Sequence, residues 1–191
     1  MIMRVISGSA KGIFLRTRSH DDLRPTSGKV KEALFNIMGA DVIECSFLDG
    51  FAGTGTIGIE ALSRGAGNCT FIEREKNVLP LLHHNLALTS LKERGTVLPT
   101  DILRGLEILK GTAFDFIFLD PPYRYNAYEK VLRIIVEKEI IAAGGLIVVE
   151  HYHKTEITCC DTALSLVRYE KYGQTSLTFF RYICDLKKIN D

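Results

Sequence analysis

Between residues 46 and 150 the chain repeats one pattern, a short apolar run followed by a stretch of helical spacing. The apolar runs fall at 46–49, 68–73, 96–99, 115–119 and 146–150, and the helical stretches at 58–64, 77–90, 102–110 and 127–138. A helix between two strands carries the chain back to the edge it started from, so the strands it joins run parallel. The alternation therefore predicts an α/β fold with a mostly parallel sheet and helices on both faces. Ahead of this core, 4–7 and 13–15 flank Gly8-Ser9-Ala10-Lys11-Gly12 and read as a hairpin. A helix is predicted over 29–38, with Val30, Ala33, Leu34 and Ile37 at helical spacing, Thr26 or Ser27 as its cap and Gly39 as its stop. Beyond the core come a short strand or turn near Glu156, a segment at 164–171 and a final strand at 175–181. The chain divides into an N-terminal hairpin and helix (1–40) and a main domain (41–191), with no repeats and no low-complexity tract.

Size and composition narrow the class. A chain of 191 residues with 46% hydrophobic content suits one globular domain. No apolar run approaches the roughly 18 residues of a membrane span, and Met1-Ile2-Met3-Arg4 does not open a signal peptide. A cytoplasmic protein without membrane contact is expected. Cys45, Cys69, Cys159, Cys160 and Cys184 are odd in number, show no CxxC spacing and stand in no paired Cys/His set. They read as reduced thiols, and no metal is expected. The net charge is +1, yet residues 1–31 alone carry +5 and the remainder −4. A basic segment on a nearly neutral body fits either a polyanion contact or a solvated surface.

The first core strand runs into Asp49-Gly50-Phe51-Ala52-Gly53-Thr54-Gly55-Thr56-Ile57-Gly58. Gly53, Gly55 and Gly58 form GxGxxG, and Glu73 follows about 20 residues on, which matches a dinucleotide fingerprint. Asp49 argues against a dinucleotide. Like charges about 4 Å apart cost roughly 4 kcal/mol at an effective dielectric of 20, so a carboxylate beneath a pyrophosphate is unfavourable. S-adenosylmethionine has a sulfonium, an ammonium and no phosphate, and an acidic strand tip attracts it. The glycines let the backbone approach its methionine and ribose portions. Glu73 is placed to accept from both ribose hydroxyls. Asp101, just before Ile102, either meets the adenine amine or caps the helix that starts there.

Asp120-Pro121-Pro122-Tyr123 directly follows the apolar run 116–119. It therefore lies at the carboxyl end of a strand, the edge where open α/β sheets bind ligands. The prolines stiffen the backbone, so Asp120 and the Pro121 carbonyl form two fixed acceptors with Tyr123 as a flat wall beside them. That set suits a planar group carrying an amine, such as a nucleobase. Taken alone, Pro-Pro is more often a strand-ending turn with a core tyrosine.

With these motifs in place the chain resembles the bacterial RsmD family of S-adenosylmethionine-dependent methyltransferases. Arg24-Pro25-Thr26 and Lys31-Glu32-Ala33-Leu34-Phe35-Asn36 are similar to the family's N-terminal signature. Phe51 through Gly55, with Gly58-Ile59-Glu60-Ala61-Leu62-Ser63-Arg64-Gly65-Ala66, resembles its cofactor loop and following helix. Phe114 through Tyr123 resembles its catalytic strand and loop, and 145–150 its next strand. The similarity spans roughly residues 4–182. DPPY alone is shared with DNA amino-methyltransferases; the RPT segment and the GIEALSRGA helix make the narrower match. Gly50 stands where the family usually has an apolar residue, and Lys31 where arginine is usual. The second change would weaken a bidentate phosphate contact if that position makes one.

The resemblance implies a Rossmann-like class I methyltransferase fold, with a seven-stranded sheet, an antiparallel last strand and a small N-terminal extension. It implies methyl transfer to N2 of a guanine in 16S ribosomal RNA, on an assembled or assembling small subunit, by a monomer. Asp120, Pro121, Pro122 and Tyr123 become the catalytic set. Asp49, Phe51, Ala52, Gly53, Gly55, Glu73, Asp101 and Ile102 become the S-adenosylmethionine site. Lys11, Arg16, Arg18, Arg24, Thr26 and Arg124 become RNA contacts, the alternative for Arg24 being a cap or ion pair that fixes the N-terminal segment to the core. The rival readings are a DNA or tRNA amino-methyltransferase, a nicotinamide-dependent oxidoreductase and a non-catalytic RNA-binding protein. The first lacks an obvious target-recognition insert, and the second leaves Asp49 and DPPY unexplained.

Overall fold

The computed structural model describes residues 3–17, 28–122, 125–158 and 161–183. Seven strands form one sheet: β3 (Ser46–Asp49), β4 (Asn68–Ile72), β5 (Gly95–Leu98), β6 (Phe114–Leu119), β7 (Ile141–Tyr152), β8 (Leu164–Tyr172) and β9 (Thr175–Tyr182). Their order across the sheet is β5-β4-β3-β6-β7-β9-β8. β3 to β7 are mutually parallel, and β9 runs antiparallel to both β7 and β8. The chain builds outward from β3 through β4 to β5, then crosses back to lay β6 on the other side of β3. That reversal is a topological switch point, where a crevice opens at the carboxyl ends of the two central strands. In register, Asp49 at the end of β3 pairs with Phe118 of β6, so Asp120 lies just beyond it.

Helices cover both faces, as the alternation predicts. α1 (Gly28–Met38), α2 (Thr56–Ser63) and α3 (Leu79–Leu88) pack on one side around Phe47, Phe71, Phe116 and Phe118. α4 (Ile102–Ile108) and α5 (Tyr128–Glu137) pack on the other around Ile117, Ile147 and Val149. α5 buries Tyr128, Val131, Leu132 and Ile135, the i, i+3, i+4, i+7 stripe of a one-sided helix. α2 differs, since every residue from Ile57 to Ser63 is buried. It lies between the sheet and the N-terminal hairpin of β1 (Met3–Arg4) and β2 (Phe14–Leu15). Val5 and Leu15 of that hairpin, with Val30, Leu34 and Phe35 of α1, belong to the same core as the sheet.

β7 begins at Ile141, five residues before the expected 146, because Ile141 pairs with Phe114 ahead of a register shift in β6. The region of Glu156 holds no strand, and 164–171 forms an edge strand with a bulge between Leu166 and Arg168. Among the described residues no helix is long and apolar enough to cross a membrane.

Candidate active site

The glycine loop is tied to both neighbouring strands before any ligand enters. Gly50 N–H donates to the Phe118 carbonyl at 2.9 Å and Ala52 N–H to the Ile72 carbonyl at 2.9 Å. The three glycines have separate reasons. Gly53 has φ +53° and open space where a side chain would stand, so a ligand can approach its backbone. Gly55 has φ +83°, and a Cβ there would strike Leu82 of α3. A Cβ on Gly58 would strike Phe71 and Cys69 of β4, so this glycine sets how closely α2 seats on the sheet. Gly50, the unusual residue of the loop, faces Leu119, whose Cδ2 would lie 2.7 Å from an added Cβ.

Two N–H groups of the motif are taken by the chain's own acidic side chains. Gly58 N–H donates to Asp49 Oδ2 at 3.0 Å, and Gly53 N–H to Glu73 Oε2 at 2.7 Å. Glu75 N–H donates to the other Glu73 oxygen at 2.7 Å. In a dinucleotide site a pyrophosphate lies against such a loop. Here two carboxyl groups lie beside it, and an incoming phosphate would meet like charge. Burial pushes the Asp49 carboxyl up to about 7; the Gly58 hydrogen bond opposes this and the nearby Glu73 charge adds to it. Each Glu73 oxygen keeps a lone pair beyond its backbone bond, as accepting from two ribose hydroxyls requires.

Asp101 caps α4, its Oδ1 accepting from Arg104 N–H at 3.1 Å, so the capping alternative is realised. Ile102 is buried beneath the same edge. Phe51 meets Tyr125 edge-on with ring centroids 5.4 Å apart, and Tyr125 meets Tyr128 in the same way at 5.4 Å. These rings wall the crevice beside Asp120. Burial, with the Asp120 charge second, pushes the Tyr128 hydroxyl up to about 12. Pro121 is buried and Pro122 exposed, and the Pro122 carbonyl accepts from Tyr125 N–H at 2.8 Å. Tyr123 and Arg124 lie outside the described residues.

Of the expected RNA contacts, Lys11 and Arg16 are exposed on the hairpin and Phe14, 60% exposed, stands between them in sequence. Arg18, Arg24 and Thr26 lie outside the described residues. The Lys31 expectation is corrected. Lys31 is fully buried, with Nζ 3.0 Å from Glu60 Oε2 and donating to the Arg4 carbonyl at 2.9 Å, so it contacts no phosphate and adds nothing to the basic surface. Burial lowers its pKa, while Glu60 raises it. Glu60 also accepts from Ile6 N–H, Ser7 N–H and Arg64 Nε, and Arg64 lies over the Phe35 ring at 4.8 Å. Ser63 Oγ accepts from Ala10 N–H and donates to the Ser7 carbonyl. The polar residues of the GIEALSRGA helix thus dock the hairpin.

Asn85, at the buried face of α3, carries no motif that marks it in the sequence. Its Oδ1 accepts from Arg16 N–H, and its Nδ2 donates to the Arg16 and Thr54 carbonyls, each at 2.9 Å. The one signal that could have found it is a polar residue on the face that Leu82 and Leu86 bury.

A glycine loop, an acidic residue after β4 and an Asp-Pro-Pro turn after β6, gathered at the switch point of this seven-stranded sheet, define the class I methyltransferase architecture. The family model described as "Conserved hypothetical protein 95" matches residues 3–181. The chain belongs to that family, the RsmD family. Bacillus subtilis YlbH is 38% identical over 181 residues, covering 94% of this chain and 98% of that protein. Ribosomal RNA small subunit methyltransferase D of Escherichia coli is 31% identical over 179 residues, covering 94% and 89%. The solved structure of yhhF from Escherichia coli superposes with a TM-score of 0.87 at 31% identity, over 97% of this chain and all of that one.

Proposed function

We propose that this protein transfers a methyl group from S-adenosylmethionine to the exocyclic N2 amine of a guanine in 16S ribosomal RNA, on a small-subunit particle. One observation carries the cofactor assignment. Asp49 and Glu73 flank the glycine loop, accepting from Gly58 and Gly53, and no Lys or Arg among the described residues pairs with either, which leaves an acidic crevice suited to a cation. The same observation weakens the oxidoreductase reading. Family membership and the name of the Escherichia coli relative support the ribosomal substrate.

S-adenosylmethionine supplies, when bound, a methyl on a positively charged sulfur. Glu73 would hold its ribose, and Gly53 would let its chain approach the backbone. The chain's remaining task is to make a poor nucleophile attack, because the guanine amine delocalises its lone pair into the ring. The Asp120 carboxylate and the Pro121 carbonyl accept the two amine hydrogens and turn that lone pair out of the ring plane. Tyr123 stacks on the base once it has left its own stack. Holding donor and acceptor in line lowers the barrier by positioning. As the N2–methyl bond forms and the sulfur–methyl bond breaks, N2 becomes acidic and its proton passes to Asp120 or water. Lys11 and Arg16 meet backbone phosphates.

The test is transfer of labelled methyl to unmethylated small subunits, naked ribosomal RNA, tRNA and duplex DNA, followed by nucleoside analysis. Label in N2-methylguanosine from the subunits is expected. Label confined to DNA or tRNA, or none with S-adenosylmethionine still bound, overturns the substrate. Neutralising Lys11 and Arg16 should flatten the salt dependence of RNA binding, by somewhat under one logarithmic unit for each phosphate they neutralise. An unchanged slope removes the hairpin from the interface.

A further inference from the structure

We propose that Asn85 is a positioning residue that couples the cofactor loop to the RNA-binding hairpin, so that each ligand tightens the other. The proposal rests on the methyltransferase reading above and goes beyond it, because it assigns a role to a helix, α3, that supplies neither the cofactor motifs nor the basic surface.

Three distant segments meet at one side chain. Asn85 is fully buried. Its amide closes a two-bond ring with the backbone of Arg16, accepting from the N–H and donating to the carbonyl. Its second N–H goes to the Thr54 carbonyl, between the two left-handed glycines of the cofactor loop. The partners fix the amide's orientation, because a flipped Asn85 would set its oxygen against two carbonyls. Leu82 and Leu86 lie to either side on the same buried face, so an apolar residue would satisfy the packing of α3. An apolar residue would not satisfy the part-buried backbone groups of Arg16 and Thr54. The Arg16 side chain stays exposed while its backbone is held, so the clamp fixes where that charge stands.

The physical consequence is a shared conformational cost. The Thr54 carbonyl can hold its Asn85 bond only while Gly53 and Gly55 keep their positive φ, +53° and +83°. A cofactor that binds this loop form stabilises the anchored form of Arg16, and RNA bound through Arg16 returns the same free energy. Leu82 carries the packing part of the link through Gly55; Asn85 carries the directional part.

The test compares wild type with Asn85→Asp, which has the same shape but loses both donors and sets a charged oxygen against two carbonyls. Affinity for small ribosomal subunits is measured with and without saturating S-adenosylhomocysteine. Wild type should bind subunits about 10-fold more tightly when S-adenosylhomocysteine is present, within the usual range of coupling energies. In Asn85→Asp the factor should fall below about 2-fold, although S-adenosylhomocysteine alone still binds within about 3-fold of wild type. A purely structural Asn85 would lower both affinities and leave their ratio unchanged, and that result overturns the proposal. Should Asn85→Asp fail to fold, hydrogen exchange on wild type decides the matter. S-adenosylhomocysteine must slow exchange at 14–17 as well as at 52–58, and slowing confined to the loop overturns the coupling. Failure of wild type to bind S-adenosylhomocysteine at all would overturn the methyltransferase reading instead.

Discussion

Two regions of the molecule use buried carboxyl groups in opposite ways. At the cofactor edge, Asp49 and Glu73 accept from loop amides, and among the described residues no Lys or Arg pairs with either. Under the N-terminal hairpin, Glu60 accepts from two backbone amides and is also paired with Lys31 and Arg64. The first arrangement draws no cation from the chain, which suits a cationic guest, and Asp49 itself carries charge mainly above about pH 7. The second neutralises its charge within the chain and serves the fold. Where the compensating cation comes from separates the two roles, and burial alone does not: Glu60 is 0% exposed, Asp49 2% and Glu73 9%.

The largest expected effect breaks the hairpin side. Glu60→Ala leaves the Lys31 ammonium buried without its carboxylate, which should cost about 3–5 kcal/mol in urea unfolding. The folded fraction should bind S-adenosylhomocysteine almost as before. A loss near zero would mean that the hairpin detaches freely and the pair contributes little.

Next comes the Asp-Pro-Pro turn. Asp120→Ala should lower single-turnover methyl transfer by roughly a thousand-fold, in the range of a lost acid–base group, with cofactor affinity within about 3-fold by calorimetry. A parallel loss of cofactor affinity would move Asp120 into the binding site and out of the chemistry.

A smaller effect tests the unpaired side directly. Glu73→Gln keeps one oxygen for Gly53 or Glu75 and should weaken S-adenosylhomocysteine binding about 10-fold, the worth of one charged hydrogen bond. Unchanged affinity would place Glu73 with Glu60 among the residues that serve only the fold.

The smallest effect is read from pH. Burial raises the Asp49 carboxyl from its ordinary 3.8 to about 7, so the native state holds this proton after the unfolded chain has released it. The stability that Asp49 contributes is therefore complete below about pH 4 and is lost as pH rises through about 7. Asp49→Asn keeps an acceptor for Gly58 and carries no charge. It should melt close to wild type at pH 4 and above it at pH 8, the difference growing between the two. Parallel melting curves would show that Asp49 is already relieved of its buried charge. At pH 8 the same variant should bind S-adenosylmethionine more weakly, having lost the counter-charge.

Much of the site was legible in the sequence because it is local. The glycine spacing, the acidic residue after β4 and the Asp-Pro-Pro turn after β6 each lie within one strand-to-loop step, where backbone preference and periodicity act over a few residues. The strand at 46–49 and the start of the helix at 102 were readable to the residue. The early start of β7 was not, since Ile141 joins it only by pairing with Phe114. The segment at 164–171 carries no clear local type, because β8 is an edge strand whose middle is exposed and carries little alternation.

Charge was the least legible property. In the sequence Lys31 belongs to a basic cluster, and in the structure it lies sealed against Glu60, 29 residues away along the chain. Glu60 and Ser63 read as the polar residues of an ordinary helix, yet the hairpin covers both. By itself, then, the sequence determined the order of the elements, the two motif-bearing turns and the acidic character of the cofactor edge, all of which follow from contacts between near neighbours. Only the tertiary structure decided that Asp49 and Asp120 share one crevice, that Lys31 is internal and that Asn85 ties Arg16 to Thr54. Strand order and the burial of charge depend on pairings between residues tens of positions apart, and local pattern carries no record of which distant partner a polar side chain will meet.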